Sequence, residues 1–135
     1  MKTEVSKGLK ITLILSIFVT LLFGVEFAIF PDLYREVVEW PFVDPVFMRF
    51  FGVTFFAIAF MLYQVVKIKE WSRIRIFVQF MIVELVLIDV INFWSIMKIP
   101  FTQGALPYVI LDTLVTTFAV MLFSYFYWVH QKADR

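Results

Sequence analysis

The chain has 135 residues, of which 62% are hydrophobic, 20% aromatic and 17% charged, with a mean hydropathy of +0.91; a soluble domain is about 45–50% apolar and about 25% charged, so this is the composition of an integral membrane protein. The absence of Cys excludes thiolate chemistry and Cys-ligated metal or iron–sulfur sites, and a single His excludes a bis-His haem or a His-based metal centre within one chain. A net charge of +1 gives no reason to expect nucleic acid as a partner.

Four apolar runs are long enough to cross a hydrocarbon layer of about 30 Å as helices. They extend over Leu9 to Phe30, Val46 to Val66, Ile74 to Met97 and Leu106 to Val129. Lys2, Lys7 and Lys10, before and at the start of the first run, resemble the basic region of a signal peptide. The run is longer than the apolar region of a signal peptide and no small-x-small cleavage site follows, so it reads as a retained helix. The linkers are short, which favours antiparallel neighbours. The expected fold is all-α: one four-span domain over residues 1–135, an up-down-up-down bundle.

The first linker has helical character of its own. Pro31 suits a first helical position and Asp32 complements the positive helix end. Leu33, Val37 and Trp40 share one side, with Arg35, Glu36 and Glu39 largely on the others. This predicts a short helix on the outer membrane surface, either a lid over a site or a plain connector.

Basic residues set the orientation. Lys2, Lys7, Lys10, Lys67, Lys69, Arg73, Arg75, Lys132 and Arg135 fall on one side, nine of the 12 basic residues, leaving Arg35, Arg49 and Lys98 on the other. By the positive-inside rule both termini are cytoplasmic, in the cell membrane. Trp40 and Trp94 fall at the outer edge and Trp71 and Trp128 at the inner edge, as interfacial belts require.

Ionisable groups within hydrocarbon are costly, usually face inward and often matter. Here they are Glu26, Arg49, Glu84, Asp89 and Asp112, with Asn92 beside them. At about 1.5 Å of rise per residue, all but Glu84 lie within roughly 5–12 Å of the outer boundary. Helical spacing places Arg49, Gly52, Phe56, Ala59 and Tyr63 on one stripe. Tyr108, Asp112, Thr116, Ala119, Phe123 and Tyr127 form another. In the first span Ser16, Thr20, Gly24 and Ala28 make a small-residue stripe that permits close helix approach, and Glu26 projects away from it. Arg49 is the one basic group of this layer, with Asp112, Asp89 and Glu26 as candidate partners. Three carboxyls against one guanidinium favour at least one protonated acid, and Glu84, deepest and farthest from Arg49, is the best candidate.

Three functions remain open on these residues. The leading one is a non-catalytic or accessory protein holding a lipid or quinone in an outer-leaflet pocket. Arg49, Asp89, Asn92, Asp112 and Glu26 would form its polar head and Phe56 and Phe123 would line the tail. The second is a structural or assembly subunit, with a membrane protein or a second copy as partner, whose polar layer only fixes helix register. The third, a proton-coupled transporter, would need an oligomer, because four short spans leave little room for a path, and the sparse polar groups below Glu84 count against a continuous wire. His130, at the inner end of the fourth span beside Gln131 and Lys132, reads as an interfacial residue suited to the negative helix end. No nucleotide-binding, zinc-protease or nucleophile-elbow motif occurs.

Pro31-Asp32-Leu33-Tyr34, followed by Asp44-Pro45-Val46-Phe47-Met48-Arg49-Phe50-Phe51-Gly52, resembles the DoxX-like group of small four-helix membrane proteins. Ala57 and Ala59 stand where many members have a further Gly. The resemblance implies a four-helix bundle, an accessory role beside membrane redox systems and a connection with quinone. It carries over only the Arg49 and Gly52 positions.

Overall fold

The computed structural model describes residues 3–38 and 44–134. Its elements are α1 (Lys7–Ile29), α2 (Pro31–Val38), α3 (Pro45–Val66), α4 (Trp71–Lys98) and α5 (Ala105–Ala133). The described residues are helical throughout apart from short connections and one isolated antiparallel bridge between Glu4 and Glu70. Among the described residues three helices, α1, α3 and α5, are long and apolar enough to cross a membrane.

Local chemistry accounts for the helix ends. The Ser6 hydroxyl accepts the Leu9 N–H at 3.3 Å and starts α1. Pro31 occupies the first position of α2, just beyond the end of α1. One Asp44 carboxylate oxygen accepts the N–H groups of Val46 and Phe47 at 2.8 and 3.4 Å, with Pro45 behind it opening α3. At the start of α5 the Thr102 hydroxyl accepts the Ala105 N–H at 3.1 Å. The expected linker helix forms as α2, while Glu39 and Trp40 at its far end, and the side chain of Val37, lie outside the described residues.

The long helices pack chiefly as two antiparallel pairs, α1 with α3 and α4 with α5, with a smaller contact between α1 and α5. Small residues draw α1 and α3 together: Gly52 lies directly against Ala28, and Gly24 against the Phe56 ring. The two pairs meet in one apolar cluster at the end of the molecule that carries both termini. Leu9 and Leu13 of α1, Leu62 of α3, Trp71, Ile74 and Val78 of α4 and Phe123 of α5 are fully buried there.

That end is also tied by hydrogen bonds. Val5 N–H donates to the Lys69 carbonyl at 2.9 Å, and Trp71 N–H to the Thr3 carbonyl at 3.0 Å. The Thr3 hydroxyl donates to Asp134 Oδ1 at 3.1 Å, so the two ends of the chain meet. His130 is buried here. Its Nε2 accepts the Ser6 N–H at 3.0 Å, its Nδ1 donates to the Phe126 carbonyl at 2.7 Å, and its ring stacks on Trp71 at 4.8 Å. Two expectations are corrected. His130 is an internal staple between α1 and α5, because both ring nitrogens find backbone partners. Trp71 is fully buried against it, whereas Trp94 and Trp128 are exposed as belt residues would be.

Candidate functional site

The polar residues in the helix halves remote from Thr3 and Asp134 separate according to the helix pairs. On the α4–α5 seam, Asn92 Nδ2 donates to Asp112 Oδ2 at 2.8 Å. One helical turn further along the seam, the Thr117 hydroxyl donates to Asp89 Oδ2 at 2.9 Å, and the Thr116 hydroxyl lies against Asp89 Oδ1. That same Thr116 oxygen is 2.9 Å from the Asp112 carbonyl and 3.1 Å from that of Thr113, so its one proton has three acceptors. Farther along, Gln79 Nε2 donates to the Tyr127 hydroxyl at 2.7 Å. Asp112, Thr116 and Tyr127 come from the stripe on α5 that spacing identified, and Thr117 lies beside it. A buried carboxyl without partners is expensive, and this seam supplies them from facing hydroxyls and an amide.

Arg49 does not join this group. It is exposed, and among the described residues it makes no ion pair with Glu26, Asp89 or Asp112. The stripe it belongs to is used for docking α3 onto α1, through Gly52 and Phe56, rather than for facing α4 and α5. The expected head group is therefore divided. Asn92 is bonded to Asp112, Asp89 lies one turn away on the same seam and is bonded to Thr116 and Thr117, Arg49 is apart, and Glu26 opens elsewhere. Phe56 and Phe123 do not share a lining either. Phe56 packs on Gly24 at the α1–α3 contact, and Phe123 is fully buried in the terminal cluster. Glu84 is half-buried and makes no hydrogen bond or ion pair among the described residues.

Glu26 lines a groove of about 450 Å³ between α1 and α2. Its walls are Leu22, Val25, Phe30 and Leu33, and its polar groups are Glu26 and Tyr34. Pro31 turns the chain from α1 into α2 and lays Tyr34 back over α1, where its ring meets Phe27 edge-on at 4.8 Å. The Phe27 ring in turn contacts Phe23 and Phe55, which backs α2 with an aromatic cluster spanning α1 and α3. Burial, then the negative charges of Glu26 and Asp112, then Tyr108, push the Tyr34 phenol up to about 12. It therefore remains a hydrogen-bond donor at neutral pH.

Tyr34 was missed from sequence as a site residue. The signal that could have found it is its place three residues after Pro31, on the turn that folds α2 back toward Glu26. No protein-family model, no curated protein and no solved structure matches this chain.

Proposed function

We propose that the chain is a small integral membrane protein that crosses the cell membrane four times, with both termini cytoplasmic, and holds a neutral amphiphile in the outer leaflet. The fourth crossing would be α4. Three crossings would put the termini on opposite sides, whereas Thr3 and Asp134 are hydrogen-bonded to one another. At about 1.5 Å per residue the 28 residues of α4 extend about 42 Å, ample for a layer of about 30 Å. The helix α2 would lie on the outer surface as the roof of the ligand groove.

The observation that carries the reading is the α1–α2 groove: open, apolar walls, with one carboxyl and one un-ionised phenol as its polar groups. Such a site takes a chain along its walls and a hydrogen-bond-accepting head at Tyr34. The carboxyls of Glu26 and Asp112 near that hydroxyl disfavour an anionic head, so a carbonyl head of the quinone type fits better than a phosphate. The resemblance to the DoxX-like group points to the same ligand class and to an accessory rather than catalytic role. Native mass spectrometry of gently extracted protein, with analysis of co-extracted small molecules, tests it. The expected result is one carbonyl-headed amphiphile per chain, with retention falling roughly 3–10-fold in Tyr34→Phe, the equivalent of one hydrogen bond. A wild-type preparation without a stoichiometric amphiphile would overturn it.

A second reading is favoured by the α4–α5 seam. Asp89, Asn92 and Asp112 already have partners, as members of a structural lock would. On that reading the protein is an assembly subunit, and a membrane protein co-purifies in place of a small molecule.

A further inference from the structure

A second groove, of about 310 Å³, runs along the α1–α3 contact. Ile17 and Leu21 line it from α1, and Phe56, Ala59, Phe60 and Tyr63 from α3. It is almost wholly apolar, but each of its walls ends on a lysine. On α3 the steps from Phe56 to Phe60, Tyr63 and Lys67 are four, three and four residues, which keeps them on one helix face. On α1 the steps back from Leu21 to Ile17 and Lys10 are four and seven, again one face. Because α1 and α3 are antiparallel, Lys10 and Lys67 arrive at the same end of the groove, the end carrying the chain termini. Lys67 Nζ sits 3.8 Å above the Tyr63 ring, so a cation is already held at the groove mouth. Neither lysine has a carboxylate partner among the described residues, and the nearby Glu70 pairs with Arg73 at 2.9 Å.

We infer that this groove binds one anionic phospholipid of the leaflet on the terminus side, its acyl chain along Ile17 and Phe60 and its phosphate between Lys10 and Lys67. From Phe56 to Lys67 the helix rises about 17 Å, close to the depth of one leaflet, so head and chain meet their counterparts at matching heights. Charge selects the occupant: two unpaired ammonium groups favour a net negative head over a zwitterionic one. The site is distinct from the α1–α2 groove in position and in the charge of its ligand, and shares with it only the membrane-spanning reading.

The test is competitive retention. Wild-type protein is equilibrated in mixed micelles with equimolar phosphatidylglycerol and phosphatidylcholine, and bound lipid is counted by native mass spectrometry. Each lysine near an anionic head is worth about fivefold, so wild type is expected to favour phosphatidylglycerol roughly twentyfold. Lys10→Gln with Lys67→Gln should bring the ratio to within about twofold of unity, and the corresponding pair of Arg substitutions should keep it. Lys69→Gln with Arg75→Gln removes the same charge from the same end but outside the groove, and should leave the preference in place. Equal retention of the two lipids by wild type, or equal loss in both Gln double variants, would overturn the inference. Tyr34→Phe is expected to be silent here, and the lysine variants silent toward the carbonyl-headed amphiphile, so failure of one site is distinguishable from failure of the other. The assay has no sidedness, so its failure would leave the topology standing.

Discussion

Gly52→Ala is the sharpest probe of how α1 and α3 are joined. A methyl group at this position would collide with the Ala28 backbone nitrogen and lie 2.6 Å from its Cβ and 2.7 Å from its Cα. Ordinary contacts begin at 3.4 Å, so the two helices must separate by about 1 Å. Backbone cannot rotate out of the way as a side chain can. Overpacking of this kind costs about 1–3 kcal/mol, a factor of roughly 5–150 in the folded-to-unfolded ratio. Gly24→Ala is the internal comparison. Its methyl would meet the Phe56 ring at 2.9 Å, and that ring can swing aside, so the cost should be smaller. Unfolding in mixed micelles of rising dodecyl sulfate fraction, followed by far-ultraviolet circular dichroism, gives both numbers. Gly52→Ala within about 0.5 kcal/mol of wild type, or Gly24→Ala the more damaging of the two, would refute the close approach of α1 and α3.

Three further outcomes follow from the same geometry. A double-mutant cycle with Asn92→Ala and Asp112→Ala should give a coupling of about 0.6 kcal/mol, and at most about 1.7, the range for interhelical hydrogen bonds in membranes; zero coupling would contradict the 2.8 Å pair. Replacing His130 by Phe keeps the stacked volume on Trp71 but leaves the Ser6 N–H without its acceptor, at a cost of about 1–3 kcal/mol; accelerated hydrogen exchange at the Ser6 amide is the readout, and unchanged exchange would dismiss the staple. In an alkaline absorbance titration, with Tyr34→Phe as the difference, Tyr34 should ionise near pH 12 rather than near its ordinary value of 10.0. Because the folded value is the raised one, the stability this phenol contributes is fully present below pH 10 and is lost as pH rises toward about 12. Ionisation near 10 would show that Tyr34 does not lie in the groove beside Glu26.

The helices were legible because apolar run length and helical spacing are local properties. The expected spans fall within a few residues of α1, α3, α4 and α5, and α2 begins at Pro31 as expected. The faces were legible too. The small stripe ending at Gly24 and Ala28 packs against α3, and the stripe through Asp112, Thr116 and Tyr127 meets α4. What spacing cannot supply is which face meets which. Arg49 lies on the Gly52–Phe56 stripe, and one guanidinium among three carboxyls suggested a shared site, but the close contact of Gly52 with Ala28 commits that stripe to α1. The seam then finds its donors in Thr116, Thr117 and Asn92, neutral groups that charge arithmetic overlooks. The burial of His130 was equally hidden, because its partner Ser6 is 124 residues away.

Whether α4 crosses the membrane is the question on which the four-span reading stands. The chain has no Cys, so single cysteines can be placed without background. Lys69→Cys reports on the connection before α4 and Gln103→Cys on the connection after it, both exposed positions. In sealed vesicles a membrane-impermeant maleimide should label one of them from outside and the other only after permeabilisation, with position 69 on the same side as a cysteine at Thr3. Labelling of both 69 and 103 from the same side would place α4 on the membrane surface and contradict the four crossings.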